Sequence, residues 1–308
     1  MEVSIQPYHI PALLEETISL LNIQKSGIYI DATFGGGGHS KAILKALGKE
    51  GKLYSFDRDM DAYSNYIKDD ARFTFVHGNF RHIKNFLRFH GEEKVDGILC
   101  DFGVSFHHFD SPERGFSFRL DAPLDMRMNR LSDVTAAELL DKVSENDLIG
   151  ILKSYTDLKR PVNVAKAIIN KRTTAGITST FQLVEALKGV IDPRQEKKEL
   201  AQVFQAIRIA VNHEADDLER FLNSTLYVLK PGGRLVTLTY HSMEDRMVKN
   251  FMKTGNVVGE EIKDFYGKVE TPWKIITRKP IEASAAEIDV NPRCRSARLR
   301  AAELKIED

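Results

Sequence analysis

The sequence predicts an α/β protein, a Rossmann-like core on a mostly parallel, doubly wound sheet with a helical domain inserted into it. Three observations predict this. Short apolar runs alternate with amphipathic stretches over the first hundred residues. The alternation stops near Ser111 and resumes only after Lys230-Pro231-Gly232-Gly233. A glycine-rich loop separates the first strand from the first helix of the alternating part.

Strands are expected at Ile28–Asp31, Lys52–Asp57, Arg72–His77 and Val95–Asp101. Helices are expected from about His39 to Leu47, from Met60, and over Phe80–Phe89. Strands joined through helices imply right-handed crossovers and parallel pairing. The strands end near Asp31, Asp57, His77 and Asp101. Ligands of such sheets bind at the carboxyl ends of the strands, so these residues should converge.

Between Ser111 and Ala201 no strand is expected. Thr135–Leu140, Asp147–Lys153, Val162–Asn170 and Thr180–Leu187 carry helical spacing. Thr135-x-x-Glu138 and Ser144-x-x-Asp147 resemble helix-starting caps. Glu199–Val211 and Ala215–Leu229 are long and amphipathic, and Arg234–Tyr240 reads as a strand after the Lys230–Gly233 turn. A helix over Ser242–Met252 follows, with Ser242 as its cap, then a loop over Gly255–Gly267 and final strands at Lys274–Arg278 and Arg298–Leu304. The domain reading is therefore 1–110 for the first part of the core, 111–204 for a mainly helical insertion suited to substrate recognition, and 205–308 for the rest of the core.

Composition narrows the class. Of 308 residues, 42% are hydrophobic and 29% charged, as in ordinary soluble domains. No apolar run is long enough to span a membrane, and Met1–His9 lacks the pattern of a signal peptide. Cys100 and Cys294 are the only cysteines, which fits a reducing, cytoplasmic setting. The net charge of +0 means that a nucleic-acid partner must be met by local basic patches. Oligomeric state is left open, a homodimer included.

The loop Asp31-Ala-Thr-Phe-Gly35-Gly36-Gly37-Gly38-His39-Ser40 is the most informative segment. Asp57 closes the second strand twenty residues after Gly37, the distance at which an acid accepts hydrogen bonds from ribose hydroxyls. The combination points to a nucleoside-type cofactor, against the plainer reading of a tight turn with a surface Asp. A dinucleotide site would place a pyrophosphate on the helix N-terminus. Here Ser40 stands in the last glycine place, and Asp31 lies four residues before Gly35. A carboxylate there repels a pyrophosphate but suits the ammonium of a methionine group. S-adenosylmethionine is therefore expected, in place of NAD.

The ordered blocks extend along nearly the whole chain. They are the glycine loop, Phe56-Asp-Arg-Asp59, His77-Gly-Asn-Phe80, Asp101-Phe-Gly-Val-Ser105, Glu113-Arg-Gly-Phe-Ser-Phe118 and Pro123-Leu-Asp-Met-Arg-Met128. Phe204-Gln-Ala-Ile-Arg208-Ile-Ala-Val-Asn212, His241-Ser-Met-Glu-Asp-Arg246 and Asn291-Pro-Arg-Cys-Arg-Ser296 complete them. On these blocks the sequence resembles the ribosomal small-subunit methyltransferase H family, also called MraW. The resemblance implies a class I S-adenosylmethionine-dependent methyltransferase core with an inserted helical domain. It also implies methylation at N4 of a cytidine in the decoding centre of bacterial 16S rRNA, with an assembled small subunit the expected partner and free rRNA left open. Cofactor contacts implied by it fall on Gly37, Gly38, His39, Asp57, Phe80 and Asp101. A further one falls on His108, where Phe106-His107-His108 replaces the family's Ser-x-Gln stretch. Tyr155-Thr-Asp-Leu-Lys-Arg160-Pro161 also departs from the commoner Tyr-Gly-Glu pattern.

An exocyclic cytosine amine is a weak nucleophile, because its lone pair is delocalised into the ring. An acceptor on that amine would help it to pyramidalise and would take up developing charge. Many amino-methyltransferases use an Asp/Asn-Pro-Pro-aromatic turn, but Asp101-Phe102-Gly103 has no paired prolines. Asp101, or a neighbouring carbonyl, is the expected acceptor, unless Asp101 serves the cofactor alone. His241 either lines the base site or supports its turn. Asp125 and Arg127, Arg208 and Asn212, and Arg293 and Arg295 are candidate substrate contacts, with Arg298 and Arg300 extending the last group. The plainer alternatives are mutual pairing or a solvated face. Lys159, Arg160, Lys166, Lys171 and Arg172 make the insertion locally basic. Phe102, Phe106 and Phe109 either stack on a base or pack internally. Cys100 is expected in the core, and His77, His107 and His108 lack the spacing of a metal site. Competing readings are a methyltransferase for small molecules or proteins, a non-catalytic RNA-binding factor, and an NAD oxidoreductase.

Overall fold

The computed structural model describes residues 10–102, 112–130, 132, 134–267 and 269–306. Its sheet contains β1 (Ile28–Asp31), β2 (Lys52–Asp57), β3 (Phe73–His77), β4 (Val95–Asp101), β5 (Leu229–Thr239), β6 (Trp273–Ile275), β7 (Ile281–Glu282) and β8 (Arg298–Leu304). The spatial order is β3-β2-β1-β4-β5-β8-β6, with β7 also on β8. Pairing is parallel from β3 to β5, and β8 runs antiparallel to β5, β6 and β7. Ile30, Leu53, Ile98 and Leu99 are fully buried, which is why the central strands read as continuous apolar runs.

The turn expected at Lys230–Gly233 is inside β5. Val95 pairs with Leu229 and Gly97 with Arg234, so the intervening residues bulge out of register. Gly232, at φ +81°, supplies the left-handed backbone that such a bulge needs.

Contacts divide the chain into two compact units, Met1–Gly103 with Asp216–Asp308, and Val104–Ala215. The first break therefore falls earlier, and the second later, than the sequence reading placed them. The second expected boundary, 204/205, cuts through a continuous helix, whose residues Leu200, Val203, Phe204 and Ile207 are buried together.

The sheet unit carries α1 (Leu14–Leu21), α2 (Gly38–Ala46) and α3 (Ile83–Phe89). The helical unit follows with α4 (Ala136–Lys142), α5 (Glu145–Tyr155), α6 (Pro161–Ala175), α7 (Thr180–Leu187) and α8 (Glu196–Val211). After them come α9 (Glu214–Val228), α10 (Ser242–Thr254) and α11 (Ala285–Val290). Neither α1 nor α11 was expected from the pattern. The helical unit starts its helices where capping chemistry stands. Thr135 with Glu138 and Ser179 with Gln182 form reciprocal capping boxes, Ser144 caps α5, and Pro161 opens α6. Its core is built from helix faces such as Leu140, Leu148, Leu152, Ile168 and Leu183. Among the described residues, no strand occurs in this unit and no helix is long and apolar enough to cross a membrane.

Below the strand ends of the sheet unit lies a cluster of three rings. Phe221 of α9 meets Phe80 at 5.1 Å and Phe102 at 5.9 Å, edge to face. Phe102 is buried, so it packs internally and does not offer a face to a base. Phe221→Ala is expected to lower unfolding free energy by about 3–5 kcal/mol, measured from the denaturant midpoint at unchanged slope.

Candidate active site at the strand ends

Asp31 ends β1 and is 1% exposed. Its Oδ1 accepts from Thr33 N at 3.1 Å, and its Oδ2 accepts from Ser40 Oγ at 2.6 Å. Ser40 Oγ also lies 2.7 Å from Ser55 Oγ of β2. A serine therefore stands in the last glycine place because its hydroxyl ties the start of α2 to the buried carboxylate. Burial pushes Asp31 up to about 6, against the lowering effect of the Ser40 hydrogen bond. Each oxygen thus takes one donor from the loop or from α2.

The loop is shaped for a ligand at Gly35. This residue has φ +50°, and a Cβ there would meet nothing within 4 Å, leaving open space over the loop. Gly37 is the N-cap of α2 and Gly38 its first residue, and no side chain caps this helix. Its first N–H groups are thus left for an anionic group. Asp57, at the end of β2, accepts Gly35 N on Oδ2 and Asp59 N on Oδ1. Each oxygen retains a lone-pair direction for a hydroxyl. Burial pushes Asp57 upward, against both backbone hydrogen bonds. Phe80 is half-buried at the end of the β3 loop. That loop is pinned by the buried Asp217 of α9, which takes hydrogen bonds from Asn79 Nδ2 and Arg81 Nη1. Arg58 lies 3.6 Å from the same carboxylate.

Asp101 closes β4. Its N–H donates to Thr33 Oγ1 at 2.7 Å, and its Oδ1 accepts the Tyr240 phenol at 2.8 Å. Its Oδ2 lies 3.7 Å from His39 Nδ1. Burial pushes Asp101 up to about 7, the Tyr240 hydrogen bond opposing and Glu244 adding to the rise. His39 is pulled down by burial. In the neutral tautomer with hydrogen on Nε2, it donates to Ala12 O at 3.1 Å. Cys100, next along β4, is fully buried with its thiol pushed well up, so it belongs to the core.

His241 occupies the N-cap of α10, so the expected cap Ser242 is one residue inside the helix. Glu244 in the first turn reaches back past the N-cap, its Oε2 accepting Tyr240 N at 3.0 Å. His241 Nε2 lies 2.9 Å from Glu244 Oε1 without hydrogen-bond alignment, and its Nδ1 has no partner among the described residues. The structure gathers Asp31, Gly35, Gly37, Gly38, His39, Asp57, Phe80 and Asp101 at one end of the sheet unit. His108, with Phe106, His107 and Phe109, lies outside the described residues.

Tyr240, Glu244 and Asp217 were missed. The strand-end rule, applied to β5, would have found Tyr240. Asp217 gives no signal on its own, since an acid on an amphipathic helix reads as solvated.

Several of the remaining candidates have internal partners. In the helical unit, Arg208 is buried and donates twice to Glu214, at 2.8 Å each. Asn212 accepts from Met128 N and donates to Met126 O, stapling that segment to the end of α8. Arg127 forms a bidentate pair with Asp125. Of the local basic group, Arg172 donates to the Leu140 and Val143 carbonyls and Lys171 pairs with Glu185, while Lys159, Arg160 and Lys166 are exposed. In the sheet unit, Arg298 and Arg300 both reach Asp245, and Arg300 is buried. Arg293 and Arg295 lie on a short 3-10 turn with exposed side chains, and Arg293 also has an interaction partner.

The sheet order and the strand-end glycine loop define a class I S-adenosylmethionine-dependent methyltransferase core. The open space at Gly35, the uncapped start of α2 and the acceptor Asp57 fit the donor's methionine and ribose groups. More particularly, the chain belongs to the MraW methylase family, whose model matches residues 6–305. It is 52% identical over 303 residues to the ribosomal RNA small subunit methyltransferase H of Phocaeicola vulgatus, covering 98% of this chain and 99% of that protein. It is 50% identical to that of Bacteroides thetaiotaomicron, covering 99% of this chain and 100% of the relative. The Flavobacterium psychrophilum protein of the same name is 51% identical, covering 95% and 100%.

Because Arg208 is consumed by Glu214, Arg208→Ala is expected to destabilise the protein by about 3 kcal/mol. The salt dependence of RNA binding should stay unchanged, whereas a lost phosphate contact would reduce its slope by about 1. Denaturant titration and filter binding across salt concentrations check both.

Proposed function

We propose that this protein transfers a methyl group from S-adenosylmethionine to N4 of a cytidine in the decoding centre of 16S rRNA. The substrate in this reading is an assembled small ribosomal subunit in the cytoplasm. The observation that carries it is the end-to-end match to relatives named ribosomal RNA small subunit methyltransferase H. The cytidine amine follows from the resemblance of the sequence blocks and from the acid at the end of β4.

The donor supplies an electrophilic methyl: a C–N bond forms as the C–S bond breaks, and the bonding pair stays on sulfur. The chain's own residues align and protect this displacement. Asp57 would hold the donor's ribose, Gly35 would leave room for its close approach, and the start of α2 would receive its methionine carboxylate. Asp101 Oδ2 accepts a hydrogen bond from the amine, localises its lone pair and takes the proton released when nitrogen becomes four-bonded. A carboxylate titrating near neutrality suits that task, because its ionised fraction is substantial at neutral pH and that anion is basic enough to accept the proton. Arg293, Arg295 and the exposed Lys159, Arg160 and Lys166 are the phosphate contacts in this reading.

Labelled donor, incubated with small subunits from cells lacking the protein, should yield N4-methylcytidine by nucleoside mass spectrometry. Another methylated nucleoside would move the reading to a different target. No transfer with donor binding intact would favour a non-catalytic RNA-binding role. Asp101→Asn should reduce kcat on the order of 10²- to 10⁴-fold at saturating donor. Wild-type turnover in that variant would remove Asp101 from the chemistry.

A further inference from the structure

We propose that Tyr240 is a positioning residue for methyl transfer, its phenol holding the Asp101 carboxylate in the orientation and ionisation state that the amine requires. This rests on the role given to Asp101 above. The placement begins with strand pairing: β4 and β5 are parallel neighbours with Asp101 opposite Leu238, so the residues just beyond each strand meet. Tyr240 follows β5 directly. Its backbone N–H is fixed by Glu244 Oε2 in the first turn of α10, and its hydroxyl donates to Asp101 Oδ1 at 2.8 Å. The phenol is itself pushed well above its usual range by burial and by Asp101, so it remains a donor. On the other side, Thr33 Oγ1 takes the Asp101 N–H.

The carboxylate is thus clamped at its backbone and at Oδ1. Among the described residues, no hydrogen bond engages Oδ2, whose near neighbour is His39 Nδ1 at 3.7 Å. One oxygen is occupied in holding the group and the other is left for substrate. A tyrosine suits this position because a phenol stabilises the anion without neutralising it, whereas a lysine or arginine would draw off the basicity the reaction uses.

Among the described residues, the groups facing Asp101 are Asp31 at the end of β1, His39 on α2, Cys100 on β4, Tyr240 after β5 and Glu244 on α10. Among the described residues, the Tyr240 hydrogen bond lowers the Asp101 titration, while burial and Glu244 raise it. Activity that needs the ionised carboxylate falls as pH drops through about 7. Without the phenol the anion loses its support, so the falling limb moves to higher pH. Without the Glu244 charge it moves to lower pH.

The experiment records kcat and kcat/KM for methyl transfer to small subunits from about pH 5.5 to about 9. It compares wild type, Tyr240→Phe and Glu244→Gln, with donor affinity measured separately by calorimetry. The expected result is an upward shift of the acid limb in Tyr240→Phe. Its kcat should be reduced roughly tenfold near neutrality and recover at high pH, with donor affinity little changed. Glu244→Gln should shift the limb downward and serves as the independent reading if Tyr240→Phe folds poorly. Limbs superimposed on wild type, or a loss confined to donor affinity, would overturn the proposal. If Asp101→Asn is inactive yet neither variant shifts the limb, the role of Asp101 stands and that of Tyr240 fails. If Asp101→Asn retains turnover, both fail together.

Discussion

The candidate site depends on a carboxylate that is almost inaccessible to water. Asp31 joins the end of β1 to the loop through Thr33 and to α2 through Ser40, and Ser40 in turn reaches β2 through Ser55. Burying a charge costs free energy unless hydrogen bonds offset it. Here each oxygen has a donor, and the group still titrates near 6. The cost is repaid in geometry. With the loop fixed, Gly35 presents its open side and Asp57 receives the Gly35 N–H. Thr33, in the same loop, reaches across to the backbone of Asp101.

Three carboxylates at neighbouring strand ends are a source of mutual repulsion, and the fold separates their tasks. Asp31 fixes the loop. Asp57 accepts two backbone N–H groups and keeps outward lone pairs. Asp101 receives a single phenol and sits near Glu244, so it is the most weakly supported as an anion. The division follows from the number and kind of donors each acid meets, since all three are desolvated.

Much of this was legible in the sequence. β1, β2 and β4 occupy the expected residues because buried central strands carry mainly apolar runs, and β8 also falls where it was expected. The glycine loop and its acids were visible because their spacing is set by a strand, a turn and a helix in succession. Pairing partners were less visible. Arg208 reads as a cation beside Asn212 on a helix face, yet Glu214 after the helix end neutralises it. Arg300 reads as part of a basic cluster, yet Asp245, 55 positions earlier, lies against it. Charge read along a chain carries no information about such distant partners. The bulge in β5 was hidden for a related reason, since Pro231-Gly232-Gly233 has the composition of a turn and only its neighbour β4 makes it part of a strand.

The placement of β8 bears on the order in which the molecule is built. It lies between β5 and β6 and pairs with β7 as well, all of which precede it in the chain. During synthesis, that side of the sheet stays an open edge until β8 has been made. Residues 104–215, by contrast, are consecutive and draw their core from helices near one another in sequence, so they can acquire structure while later segments are still being translated. A ribosome stalled just before Arg298 would therefore be expected to carry a folded helical unit beside a sheet still open to misassembly.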